Sequence, residues 1–492
     1  MQTYARTLAR GATILLVMSV VTAGLGYLFR LLLARTLSVA EVGLFFAVFG
    51  FINMVYSIKS FGIGPALIRL VTEYRSARNF EGIKQVLLSF FIIQFVIFLI
   101  GTVLILALRR ILVDSYFKDP MASSLLLILV AASFFFVIIT TFRVFFTAYQ
   151  KFTYYSTIEL FQALFVLIIC AVLLPFFASP SIPAWAYLAS FALVAVWCFI
   201  LMLRIFPYFS VRASITWHLL RQLIVEGVPV TLTILLTSLL GYIDVALLTY
   251  FRPLEEVALY SIALPTAQLL RYLPKALSST LLPVSAEMHL RDPQRLGSRL
   301  ATLYKYLFVV LVPFSVLLGV FADTIIVVLF GSDYAGAAPA ISILAGGAVF
   351  SNALLVTQNV ILGVGQSKAY FRVSFAGVLF AIAANLALIP RFGILGASVA
   401  TTATTLIMFL LSMRIIRRVA GPEFLMPYFL KISLIAAGIV FSLLWLRHYL
   451  QFAPVIELIV LSAMALVLYA ALVLVFRILS LKELLRMLRV VA

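Results

Sequence analysis

Long apolar runs alternate with short polar ones along the whole chain, and most of the runs are too long for the core-facing stripe of a soluble helix. At roughly 20 residues per membrane crossing, the pattern predicts fourteen helical spans. They lie at 11–34, 43–67, 85–108, 122–148, 156–177, 184–206, 223–250, 257–283, 303–321, 337–362, 373–389, 396–413, 432–446 and 455–476. The expected fold is an all-α polytopic membrane protein. Its outer links are short and leave no room for a catalytic domain outside the membrane.

The pattern also repeats. A shift of 215 residues without a gap lays Gly26-Tyr27 on Gly241-Tyr242, Glu41-Val42 on Glu256-Val257, Gly82 on Gly297 and Pro175 on Pro390. Six spans, an even number, separate the two copies, so both insert in the same orientation. Such halves are related by an axis along the membrane normal. The expected plan is an N-lobe at 1–222, a C-lobe at 223–418, and two further spans with a cytoplasmic tail at 419–492.

Composition supports this reading, with 65% hydrophobic and 11% charged residues. A soluble chain is nearer half apolar and a quarter charged. The net charge of +19 suggests nucleic acid until its placement is seen. Lys and Arg crowd the N-terminus and every second loop, and are sparse in the loops between. That is the positive-inside pattern, which places both termini in the cytoplasm of a cell-membrane protein and removes nucleic acid as a partner. The apolar run after Arg10 is too long for the core of a cleaved signal, so the first span reads as a signal anchor. Cys170 and Cys198 fall inside spans and read as small apolar fillers, neither a disulfide nor metal ligands.

Charge within the spans carries the functional signal. In the eighth span Gln268, Arg271, Lys275 and Ser278 follow i, i+3, i+7 and i+10, within about a third of the helix circumference. A cation at mid-membrane costs on the order of 3 kcal/mol, and two of them four apart repel each other. The pair therefore points to water or an anionic ligand. In the second span Lys59 sits about 100° from the face formed by Asn53, Ser57, Ser60 and Gly64. The run Gly62-Ile63-Gly64-Pro65 breaks that helix, because two permissive residues precede one without an N–H. The break can turn Lys59 toward the lumen; otherwise Lys59 snorkels to the interface.

Arg30 stands about 12 Å beyond the middle of the first span, where snorkelling and a lumen-facing role are both open. Asp244 occupies a similar depth on the seventh span, on one face with Thr233, Thr237 and Gly241, and the repeat makes the two helices symmetry mates. Arg30 and Asp244 are thus a candidate gating pair that latches the inward-open state. Arg143 and Glu159 lie near span ends, where each can reach the interface. The C-terminal 481–489 has leucines at helical spacing opposite basic residues and reads as a surface helix.

Enzyme signals are missing. His218, His289 and His448 have no zinc spacing and no nucleophile partner. Gly346-Gly347 and Gly363-Val364-Gly365 are packing and turn glycines, with no phosphate-binding loop and no cofactor implied.

Several stretches resemble the polysaccharide-export and lipid-linked oligosaccharide flippase family, in the superfamily that includes multidrug-and-toxin-extrusion transporters and lipid II flippases. These are LARTLSVAEVGLFF at 33–46, the segment from Asp244 through Val257-Ala258-Leu259-Tyr260-Ser261, Leu362-Gly363-Val364-Gly365-Gln366-Ser367-Lys368, and the run from Asn385 to Ala397. The resemblance implies two six-helix lobes around a cationic central cavity, with cations from the first, second and eighth spans; Arg30, Lys59 and Arg271 fall on those helices. The last two spans are then expected to accommodate a lipid tail.

The reading is a monomeric flippase, not an enzyme. It moves a polyprenyl-pyrophosphate-linked oligosaccharide to the outer leaflet by alternating access, driven by H+, Na+ or membrane potential. A drug or cation exporter of the same fold is the alternative, although the first two spans offer no acid for it. An integral-membrane glycosyltransferase or ligase is a further one, and lacks the large outer loop it needs.

Overall fold

The computed structural model describes residues 2–57, 62–420, 426–449 and 453–479, with backbone alone at 2–16, 229, 272–273, 276–280, 283, 293–295, 420 and 426–427. Lys59 and the tail at 481–489 lie outside the described residues, and Ser278 is described by its backbone only. The described residues are helical with no strand.

The chain divides into two compact units, Met1–Ala258 and Leu259–Ala492. The first holds α1 (Gln2–Thr36), α2 (Val39–Tyr56), α3 (Gly64–Ser76), α4 (Phe80–Ala107), α5 (Arg109–Ile111), α6 (Ala122–Ala148), α7 (Phe152–Leu173), α8 (Ser181–Leu203) and α9 (Trp217–Phe251). The division falls within α10 (Leu254–Gln268). The second unit continues with α11 (Tyr272–Arg291), α12 (Pro293–Val320), α13 (Ala322–Phe330), α14 (Ala338–Gly363), α15 (Ser367–Ala420), α16 (Met426–Tyr449) and α17 (Pro454–Val475).

Among the described residues, twelve helices are long and apolar enough to cross a membrane, against the fourteen expected. The difference has two causes. The eleventh and twelfth predicted spans are both present within α15, as two helices that meet at Gly393, whose φ of 54° and ψ of −130° are not helical. The eighth is split by a 3-10 turn at Leu269–Arg271 into α10 and α11, and neither piece qualifies.

The 215-residue shift recurs in the helix boundaries. It carries the last residue of α1 onto that of α9, the start of α2 onto that of α10, and the last residue of α6 onto that of α14. It also carries Gln150 (φ 57°), which closes α6, onto Gly365 (φ 77°), which closes α14. In both, the N–H one residue further on returns to a helix carbonyl, Lys151 to Phe146 and Gln366 to Ile361, the left-handed way of ending a helix. The start of α2 is fixed by a capping box, in which Glu41 accepts from Ser38 N while Ser38 Oγ accepts from Glu41 N. At the repeated position Glu256 instead pairs with Arg252 at 2.6 Å.

Although α9 opens the second sequence copy, it packs on α2, α3 and α4 of the first unit. That unit has a core of Ile63, Leu67, Val86, Phe90, Phe145 and Cys198, contributed by α3, α4, α6, α8 and the link before α3. In the second unit α16 and α17 are tied down by one guanidinium. Arg447 donates to Glu457 at 2.6 Å, to Asp323 at 2.9 Å and to the Val320 carbonyl at 2.7 Å. The same helices expose Phe441, Val467 and Val475, as lipid-facing positions do in a membrane bundle.

Candidate functional site

In the second unit the polar stripe sits on a broken helix. Pro274 has no N–H to give the Leu270 carbonyl and crowds it, and the chain passes through the 3-10 turn Leu269–Arg271 before α11 begins. Residues three apart eclipse in a 3-10 turn, so Gln268 and Arg271 stand in line across the break. Lys275 follows one α-helical turn later. Gln268, Arg271 and Lys275 are all exposed. Two cations and an amide presented together can bind an anion through charge-assisted hydrogen bonds.

In the first unit Arg30 is half-buried, its guanidinium 4.5 Å from the centre of the Phe46 ring. Such a cation–π contact is worth about 0.5–2 kcal/mol. Beside it, Tyr187 packs on Phe45 and Phe49, the latter at 4.8 Å between ring centres. Asp244 is buried, and its Oδ1 accepts from Val245 N at 2.9 Å.

In the second span α2 ends at Tyr56 and α3 begins at Gly64, with Pro65 in its first turn. Gly62 adopts φ +57°, and a Cβ there would fall 2.6 Å from both the Gly227 carbonyl oxygen and the Thr231 nitrogen of α9. Only glycine satisfies both conditions. Below the break Arg69 donates to both carboxylate oxygens of Glu226, at 3.0 and 2.9 Å, and pairs with Glu73 at 3.3 Å. The Gln222 amide donates to Glu226 as well, and these hydrogen bonds, Gln222 first and then Arg69, hold the Glu226 carboxyl below its ordinary range.

Three features lay beyond the sequence pattern. Asn352 of α14 is buried and brings Nδ2 to 3.4 Å from the Leu270 carbonyl oxygen; only the missing N–H of Pro274 hinted that such a donor was needed. The Arg69–Glu226 pair joins residues 157 apart in sequence. Arg143 and Glu159, each expected to reach the interface alone, pair at 3.4 Å, with Gln162 as a further acceptor for Arg143 at 2.9 Å. Among the described residues, no three of His, Cys, Asp and Glu are grouped to hold a metal ion.

Comparison with known proteins gives these features a context. The family profile described as polysaccharide biosynthesis protein matches residues 8–289, more than half of the chain. The MatE profile matches residues 229–387. An uncharacterized membrane protein of Methanocaldococcus jannaschii, MJ1068, is 26% identical over 86% of this chain and 86% of its own. A probable low-salt glycan biosynthesis flippase of Haloferax volcanii, Agl15, is 26% identical over 33% of this chain and 34% of its own. Among solved structures, the lipid II flippase MurJ in its inward closed conformation is similar at a TM-score of 0.78 and 15% identity, covering 94% of this chain and 98% of that one. An inward-facing multidrug resistance MATE family transporter is similar at 0.66 and 17%, covering 81% and 95%. At these identities the structural likeness establishes the fold.

Proposed function

Because the chain belongs to the polysaccharide biosynthesis protein family, we propose that it is a flippase carrying a polyprenyl-pyrophosphate-linked oligosaccharide from the cytoplasmic to the outer leaflet. The carrying observation is the joint exposure of Arg271 and Lys275 on a broken helix, in a chain whose described residues include twelve membrane-length helices. Cations in such a setting are costly unless they meet water or an anion. A pyrophosphate head is anionic and hydrated and needs a cationic path, whereas its polyprenyl tail can stay in lipid. Gln268, Arg271 and Lys275 bind the head, and Lys59 and Arg30 bind it at another stage of its passage. The protein is a monomer of the cell membrane with both termini in the cytoplasm, and it works by alternating access driven by an ion gradient or the membrane potential. Arg30 and Asp244 form the gating pair.

The MatE match and the likeness to MATE structures favour a second reading, a drug or cation antiporter. Purified protein in liposomes, offered a lipid-linked glycan and cationic dyes in parallel, separates the two. Movement of the glycan alone supports the flippase, and movement of dye alone overturns it.

A further inference from the structure

The turn that carries Arg271 is held from outside its own helix. With no N–H at Pro274, the Leu270 carbonyl lacks the bond that an α-helix supplies from four residues on. Asn352, 1% exposed on α14, places Nδ2 within 3.4 Å of that carbonyl oxygen. Chemistry fixes the direction of this amide, since only its N–H end can face an acceptor. The other end, Oδ1, is buried with no hydrogen-bond partner among the described residues. A buried acceptor left unpaired costs folding free energy, and an aliphatic side chain of similar size avoids that cost. The asparagine is accounted for by what its nitrogen holds.

We infer that Asn352 is the positioning residue for Arg271: it secures the proline-broken turn in its 3-10 form, and so sets the direction in which Arg271 is presented. This rests on the anion-binding reading of Arg271. Three residues turn a full circle in a 3-10 helix and 300° in an α-helix, so straightening the break rotates Arg271 by about 60° relative to α10.

The test compares wild type, Asn352→Leu, Pro274→Ala and the double variant. Three quantities are measured. They are the thermal midpoint, the affinity for farnesyl pyrophosphate as probe, and, in parallel Arg271→Cys versions, the reaction rate of the introduced thiol with a negatively charged methanethiosulfonate. The native Cys170 and Cys198 are buried and contribute little background. Asn352→Leu is expected to lower the midpoint, to weaken the probe about tenfold, the scale of one hydrogen bond to a charged group, and to change the labelling rate several-fold. Adding Pro274→Ala restores an N–H to the Leu270 carbonyl. The midpoint then recovers while probe affinity and labelling stay altered, because the helix has straightened. If the double variant regains the midpoint, affinity and labelling together, Asn352 is structural only and the inference is overturned. Affinity and labelling within about twofold of wild type in Asn352→Leu overturn it as well. If the wild type itself does not bind the probe, the anion-binding reading fails and labelling alone decides. An altered rate in the double variant sustains the positioning role, and an unaltered one ends it.

Discussion

In the first unit the helix that begins at Val39 stops at Tyr56 and resumes at Gly64; 215 residues on, the helix that begins at Leu254 stops at Gln268 and resumes at Tyr272 after one 3-10 turn. The two interruptions are held by different forces. The first depends on the absence of a side chain, with Gly62 in a left-handed conformation against the backbone of α9. The second depends on the absence of an N–H at Pro274, with a side-chain amide from α14 brought to the carbonyl left behind. Below the first break a long-range ion pair, Arg69–Glu226, ties the next segment to α9, whereas the corresponding segment of α11 carries the local pair Glu287–Arg291. The 215-residue shift carries the first interruption to just past the 3-10 turn of the second, so the two copies break their helices at neighbouring positions and with different residues.

Charge reversal has the largest expected effect, because it attacks the use of the second break and not its shape. Arg271→Glu is expected to abolish transport of a lipid-linked glycan in liposomes, and Arg271→Ala to weaken it, with both variants expressed near the wild-type level. Retained transport by the Glu variant removes the anion-binding role.

Gly62→Ala comes next and tests the first break. A left-handed non-glycine residue costs about 1–2 kcal/mol, and forcing a methyl into the α9 backbone adds about 1–3 kcal/mol. Thermal unfolding of Gly62→Ala and wild type in the same detergent should show a clear fall in the variant's midpoint. Equal midpoints would mean that Gly62 can move away from α9.

Acidification has a smaller effect. Glu226 has a lowered carboxyl pKa in the folded protein, so the stabilisation it supplies is present above its unfolded value and is lost as pH falls through the folded one. That window lies below the ordinary 4.5. Comparison of wild type with Glu226→Gln should show a difference at pH 7 that persists to pH 5 and disappears on further acidification. A difference already lost by pH 6 contradicts the pairing with Arg69.

Pro65→Ala should matter least. Pro65 lies in the first turn of α3, where the missing N–H is one that helices leave unpaired anyway. The expected change is about 1 kcal/mol or less, read from the same melts. A loss as large as that of Gly62→Ala would show that both breaks are proline-made after all.

How much of this was legible in the sequence follows from how far each cause reaches. Apolar runs, the repeat and the Gly62–Pro65 interruption are local patterns, and so is the stripe of Gln268, Arg271 and Lys275. The contacts that hold the breaks are not local, since Asn352 lies 82 residues from Leu270 and Glu226 lies 157 from Arg69. The break between the eleventh and twelfth runs was legible too, since Pro390, Arg391 and Gly393 interrupt the apolar pattern and Gly393 divides α15 there. The side-chain direction of Arg30 was open between two readings because depth alone does not say which way a helix faces. The ring of Phe46 beneath it is a property of packing.

The place of α9 has a consequence for how the chain is made. The ribosome delivers the first sequence copy before α9, yet α9 covers parts of α2, α3 and α4. A nascent chain halted at Thr216 thus enters the bilayer with those helix faces open to lipid or to the insertion machinery, and its packing is completed only by the next helix to emerge. Two genes that divided this chain between them would have to part at the short link after Phe251, so that the first product carried away the opening helix of its neighbour's repeat.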